Sequence, residues 1–334
     1  MRYGKKVEMK QLSRDFIKIR TYISDTSMYS DKFYNGESSS YNDRCRICRS
    51  KSRTLFFKSQ KKYNYFICDN CKSVYLDNLP NVQKMYDNDD STNLPEYIDE
   101  DIYKKRVAMI SAPKVEFVME MVENQINQWL DIGAGGGEIL RYLKDNTDIK
   151  GVGIESDPKE CSFMKKMNLK VYETFVDINR DEKKITNLIE HSEIVSLFNV
   201  LEHIVNPKEF VEYIAKYMKK DAYIVIEVPR HPSLASFANL TCPNKVYRHI
   251  ESPQHLQVFS DDAIKYILKE SFEIIGNWQF GQGYTDILTN SMILSGVEES
   301  SLYEDLMSIS NEVQKVVDEN GFADQMLVVA KKVI

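Results

Sequence analysis

The stretch "WLDIGAGGGEIL", residues 129 to 140, limits the possible folds of this chain more than any other segment. An apolar run, a turn holding four glycines and a helical pattern follow one another directly. A strand that turns sharply into a helix is the unit of parallel α/β sheets, and glycine lets the backbone of that turn approach a ligand closely. Short apolar runs then alternate with helical stretches: "KGVGIE", "LKVYE", "EIVSLFN", "AYIVIEV", "FEIIGNWQF" and "MLVVAKK". With "WLDIG" they make seven strands, so the fold expected is α/β, a doubly wound Rossmann-like sheet over residues 126–334. A helix is predicted from about Ile102 to Val122.

What the glycine turn holds follows from its spacing. A dinucleotide-binding turn reads GxGxxG, and Gly133 and Gly135 fit its first two positions, but position 138 is Glu. With Gly137 the pattern is GxGxG instead, and no Lys-Ser/Thr follows, which excludes a phosphate-cradling P-loop. Asp131 stands two residues before the first glycine. A carboxylate there would repel a pyrophosphate and stabilise a cationic amino group. S-adenosylmethionine has an α-ammonium group, a sulfonium and no phosphate. The next strand ends in Glu155, where a carboxylate can accept both ribose hydroxyls.

A second signal lies upstream. Cys45, Cys48, Cys68 and Cys71 form CxxC–x19–CxxC, and the intervening "TLFF" and "YNYFI" form a hairpin that brings the two pairs together. Four cysteines at this spacing predict a zinc ribbon with a closed, structural shell. Residues 1–63 carry 16 Lys/Arg against 6 Asp/Glu, whereas the remainder carries 28 against 44. Eight Lys/Arg fall between Arg44 and Tyr63 without one acid. That run either offsets the negative charge of four thiolates or grips an anionic partner. Cys161 and Cys242 stand apart and are expected to be packing residues.

With these residues in hand, "LDIGAGGGEIL", "GIESDP", "VSLFNVLEHIVNP" and "VIEVPRH" resemble the successive motifs of class I S-adenosylmethionine-dependent methyltransferases. The resemblance covers residues 128 to about 230 and resumes in "GFADQMLVVAKK". It implies that Asp131, Gly133, Gly135, Gly137 and Glu155 bind the donor, that Thr174 and Phe175 lie near the adenine, and that Asn199 faces the methionine side. His203, in the "LEH" turn, is expected to pack rather than catalyse.

A ribbon fused ahead of this domain is similar to the sugar C-methyltransferases that act on nucleotide-linked deoxysugars, and to relatives acting on bacterial glycans. In "ESPQHLQVFS", His255, Phe259 and Ser260 match their acceptor loop, while Ser252, Pro253 and Gln254 replace its Tyr, His and Glu. Carbon, oxygen and nitrogen acceptors therefore stay open. The acceptor loop 229–260 holds His231, His249 and His255 with Arg230, Tyr247 and Arg248. His255 is the first candidate for a general base and His231 the reserve.

The division expected is an N-terminal extension (1–44), the ribbon (45–80), an acidic connector and helix (81–125), and the methyltransferase domain (126–334). A late helix at 298–320 carries Leu302, Leu306, Ile309, Val313 and Val316 on one face and should pack on the body or form a dimer seam. The function expected is methyl transfer to a sugar, nucleotide-linked sugar, glycan or similar small metabolite, by a monomer or homodimer. The alternatives are an RNA methyltransferase whose basic ribbon grips phosphate, and a non-catalytic zinc-ribbon interaction protein. The acidic catalytic half disfavours nucleic acid. No apolar stretch approaches the roughly 20 residues of a membrane span, and "MRYGKKVEMKQL" lacks the apolar core of a secretory signal, so a cytoplasmic protein is expected.

Overall fold

Two sheets, one small and one large, organise the chain. The computed structural model describes residues 43–58, 64–77, 100–241, 250, 255–295 and 301–334. The N-terminal extension to residue 42, the connector 78–99, Cys242, Tyr247, Arg248, His249, Ser252, Pro253 and Gln254 lie outside the described residues.

The ribbon strands are β1 (Arg53–Lys58), β2 (Asn64–Cys68) and β3 (Val74–Leu76). The large sheet holds β4 (Gln128–Ile132), β5 (Lys150–Glu155), β6 (Val171–Glu173), β7 (Ile194–Phe198), β8 (Tyr223–Pro229), β10 (Phe272–Phe280) and β11 (Gln325–Lys332). Its order is β10-β11-β8-β7-β4-β5-β6, and β11 is antiparallel to both neighbours. The fold is thus the seven-stranded, doubly wound Rossmann-like α/β sheet expected from the sequence. Its central strands read as continuous apolar runs because helices cover both faces, as parallel sheets require. β8 is buried at every position.

The chain moves outward from β4 through β5 to β6, then returns to add β7 on the other side of β4. This reversal opens a crevice at the carboxyl ends of β4 and β7, where open α/β sheets bind ligands. The crossovers are α3 (Glu138–Asn146), α4 (Pro158–Lys166), α5 (Lys183–Glu190) and α6 (Pro207–Tyr217). Ahead of them α1 (Glu100–Arg106), a wide turn over Val107–Ser111 and α2 (Ala112–Met121) form the predicted long helix.

The small sheet has a fourth strand, β9 (Gln257–Val258), supplied by the segment after β8 and paired antiparallel with β3. Phe259 then bridges to Arg230 beside the end of β8, and its amide donates to the Pro229 carbonyl at 2.9 Å. Phe259 is fully buried among residues that include Cys45, Cys68, Cys71 and Leu201. The ribbon therefore shares a core with the large sheet. Residues 257–259 are its seam.

The late segment departs from expectation. It forms α10 (Ser301–Ser308) and α11 (Ser310–Glu319), interrupted at Ile309. Leu302, Ile309 and Val316 are exposed, while Met307, Ser310 and Gln314 turn inward. The Gln314 side chain accepts the Tyr284 amide at 3.0 Å, so a polar contact rather than the apolar stripe anchors this helix. No helix among the described residues is long and apolar enough to cross a membrane.

Candidate active site

The turn after β4 is shaped by its glycines. Gly133 has φ +71, and a side chain there would begin 2.6 Å from the Val200 Cγ2. Gly137 heads α3 with φ +73 and would meet Met164 at 2.7 Å. Only glycine satisfies both the left-handed backbone and the space. Beneath the turn Asp131 is 2% exposed and accepts the Ser196 hydroxyl from the paired strand β7 at 2.6 Å. Ser196 in turn accepts the Trp129 indole N–H at 2.8 Å. Burial pushes the Asp131 carboxyl up to about 7, against the hydrogen bond from Ser196, which lowers it. A cation bound above it would restore the charge.

Glu155 ends β5 and faces the same turn. Its Oε2 accepts the Gly135 amide at 2.8 Å, and its Oε1 accepts the amides of Ser156 and Asp157 at 2.6 and 2.9 Å. Thr174 follows β6 and donates its amide to the Glu155 carbonyl at 2.8 Å, while Phe175 is 65% exposed beside it. Asn199 follows β7 with φ +53, and its side-chain amide donates to the Glu227 Oε1 at 3.2 Å. Asp131, Glu155, Thr174, Phe175 and Asn199 all follow or end adjacent strands at this crevice.

Sequence reasoning missed several residues here. Lys114 in α2 pairs with Glu227 at 2.7 Å, both nearly buried. Tyr103 in α1 donates to the Gly136 carbonyl at 3.1 Å, and Arg106 pairs with Glu138 at 2.5 Å, so the first helix is tied to the glycine turn. Glu160 is buried with its Oε2 lacking a hydrogen-bond partner among the described residues, 3.1 Å from where a side chain on Gly135 would begin. Burial, helped by the Glu155 charge, pushes its carboxyl up to about 8. Glu160 has a local signal, standing three residues after the Asp157 cap of α4. Lys114 has none.

On the acceptor side, His231 follows β8 with Nδ1 3.0 Å from the Ser236 Oγ and its ring edge-on to Phe56 of β1 at 5.1 Å. Burial and the adjacent Arg230 charge push its pKa down to about 4. His255 has His203 as a ring neighbour, 4.9 Å between centroids. Glu202 completes this group; it is fully buried, and burial pushes its carboxyl up to about 8. The rest of the matched loop has structural work. Phe259 fills the shared core, and Ser260 caps α8 (Asp261–Leu268) by accepting the Ala263 amide at 3.0 Å.

The four cysteines converge. Cys45 and Cys71 sulfurs lie 3.6 Å apart, Cys48 and Cys68 3.4 Å, and all four fit within 4.8 Å. The two knuckles repeat one geometry. Cys45 N donates to the Ser50 carbonyl and Cys68 N to the Ser73 carbonyl, each at 2.9 Å, with Arg49 and Lys72 both at φ 60. About 2.3 Å per zinc–sulfur bond places tetrahedral sulfurs about 3.8 Å apart, so this donor set fits Zn2+. The hydrogen bond from Cys71 pulls the Cys45 thiol well below the usual thiol range. Cys161 is buried with its thiol pushed up to about 11 by burial, in keeping with packing.

Comparison with known families matches residues 97–271 to a family described as methyltransferase domain. The chain belongs to this family. It is a methyltransferase. Among solved structures, a SAM dependent methyltransferase from Archaeoglobus fulgidus is 17% identical, covering 71% of this chain and 99% of that one with a TM-score of 0.46. Mycolic acid cyclopropane synthase CmaA1, complexed with SAH and CTAB, is 12% identical over 71% and 88% of the two chains, with a TM-score of 0.47. The plantazolicin methyltransferase BpumL in complex with SAH is 17% identical over 76% and 89%, with a TM-score of 0.43. No curated protein matches the chain.

Proposed function

We propose that this methyltransferase binds S-adenosylmethionine in the crevice after β4 and methylates a sugar, nucleotide-linked sugar, glycan or similar small metabolite. The observation that carries the donor assignment is Asp131, a buried carboxyl group under a GxGxG turn, held by a hydroxyl and, among the described residues, by no ion-pair partner. Bound there, the donor supplies a methyl group made electrophilic by its sulfonium. Asp131 neutralises the ammonium, Glu155 accepts from the ribose, Thr174 and Phe175 flank the adenine, and Asn199 lies on the methionine side. Gly133, Gly135 and Gly137 leave the backbone open to the donor. Methyl transfer is an in-line displacement, so these residues act mainly by positioning.

The reading includes a structural Zn2+ held by Cys45, Cys48, Cys68 and Cys71, with the repeated knuckle geometry in its favour. For the acceptor, His255 is the base and His231 the reserve. The low pKa of His231 makes it a weak proton acceptor, which favours His255. RNA is disfavoured because four basic residues of the ribbon already have partners within the chain. Arg46 is buried and donates to the Leu76 carbonyl, Arg49 pairs with Glu209, Lys51 with Asp43 and Arg53 with Asp77. The intact glycine turn counts against a non-catalytic protein.

Calorimetry with S-adenosylmethionine tests the donor site. Asp131→Ala or Glu155→Ala should each weaken binding about tenfold or more, as expected for losing a charged contact of about 1.5–3 kcal/mol. Binding of NAD with none of S-adenosylmethionine would end the reading.

A further inference from the structure

Glu202 is difficult to explain as packing. It lies in the short turn Leu201–His203 after β7, is fully buried, and neither carboxylate oxygen has a hydrogen-bond partner among the described residues. Burying a carboxyl group without hydrogen bonds is costly, and a buried carboxylate needs a cation. Two imidazoles stand beside it. One carboxylate oxygen of Glu202 and one ring nitrogen each of His203 and His255 all lie within 4.8 Å of one another. Among the described residues the carboxylate nevertheless accepts no hydrogen bond from either ring.

The surrounding structure holds the three groups together. The Leu256 amide donates to the Glu202 carbonyl at 2.8 Å, and the Gln257 side chain donates to the carbonyls of Leu201 and Ile204. Tyr65 of β2 donates its hydroxyl to the His255 carbonyl at 3.1 Å. The turn after β7, the end of the acceptor loop and the ribbon sheet thus converge on this point. Two histidines and one carboxylate are the donor set that binds first-row divalent metals while leaving coordination positions open.

We infer that Glu202, His203 and His255 form a second metal site, distinct from the cysteine cluster, that takes a divalent first-row transition cation. Metal–nitrogen and metal–oxygen bonds of about 2.0–2.2 Å require modest closure of the side chains around the ion. Three protein ligands leave room for an oxygen of the acceptor, a use that rests on the small-metabolite reading above. In the loaded protein the lone pair of His255 is a ligand, so the histidine serves as a base only in the metal-free form.

Manganese separates this site from the cysteines, because carboxylate and imidazole accept Mn2+ and a closed thiolate shell selects softer ions. The full-length protein, its cysteine-bound zinc retained, is titrated with Mn2+ while the free-ion signal is followed by electron paramagnetic resonance. One Mn2+ should bind per chain. Glu202→Gln, His203→Ala and His255→Ala should each weaken it at least tenfold, while His231→Ala binds as wild type. Zinc content and thermal unfolding report whether each variant is folded; removing one buried charge makes Glu202→Gln the least disruptive of the three. No Mn2+ binding by wild type, or binding that survives all three substitutions, overturns the inference. The titration uses neither donor nor acceptor, so a failed methyl-transfer reading would leave its outcome untouched.

Discussion

Substituting Gly133 by alanine isolates what the donor turn demands of its backbone. The new methyl group would meet two separate penalties. At φ +71 a side chain sits in the left-handed region, which costs about 1–2 kcal/mol. It would also begin 2.6 Å from the Val200 Cγ2, far inside contact distance, so one of the two must move. Overpacking of this kind adds about 1–3 kcal/mol. Gly321 is the natural control, with φ +79 and nothing within 4 Å. Gly321→Ala should therefore lose only the backbone part. In urea unfolding of the donor-free protein, Gly133→Ala should exceed Gly321→Ala by about 1–3 kcal/mol. In a Val200→Ala background the excess should vanish, since the clashing methyl is gone; the cycle reads the coupling directly. Donor affinity should fall with Gly133→Ala and stay unchanged with Gly321→Ala. Equal costs for the two substitutions, in both backgrounds, would refute the account of the turn.

Three further outcomes are expected. Cys71→Ser should release one equivalent of zinc by elemental analysis and lower turnover more than donor affinity, because Ser260 donates to the Cys71 carbonyl and β3 pairs with the acceptor loop; zinc retained in full would count against the cluster. Stability should fall as pH rises beyond about 6.5, where His231 is neutral in both states, to about 8: Asp131 is raised to about 7 and Glu160 and Glu202 to about 8, so the folded state holds protons that the unfolded chain, with carboxyls near 4, has lost. The loss should be complete above the folded values, and Asp131→Asn should flatten the slope in thermal unfolding across that range; an unchanged slope would show the aspartate is already ionised. His255→Ala should keep donor binding while lowering turnover by about 10^2 with an identified acceptor, and wild-type turnover across pH 6–9 would remove His255 from the chemistry.

The alternation of apolar runs with helices, the GxGxG turn and the paired CxxC knuckles are all local patterns. Each records the geometry of a few adjacent residues, such as a period, a left-handed turn or two thiols on one bend. That is why the strands from Gln128–Ile132 to Gln325–Lys332 lie where the sequence predicts them. The late helix shows the limit of such a pattern: periodicity establishes that a helix has a face, but the neighbours decide whether that face is covered. Leu302, Ile309 and Val316 are exposed because Met307, Ser310 and Gln314 fill the inward positions.

The remaining features depend on residues far apart in the chain. Lys114 meets Glu227 across 113 positions, and Ser260 reaches the Cys71 carbonyl across 189. The ribbon borrows its fourth strand from the segment after β8, a pairing that no local pattern encodes because a strand of two residues has no period. Glu202 and His203 belong to one recognisable turn, but His255 comes beside them only because β9 pairs with β3 and the ribbon packs over the end of the large sheet. The glycine turn is a property of neighbouring residues, so the sequence already contains its geometry. The Glu202, His203 and His255 cluster is assembled from segments far apart in the chain, and it exists only once long-range pairing has brought them to one place.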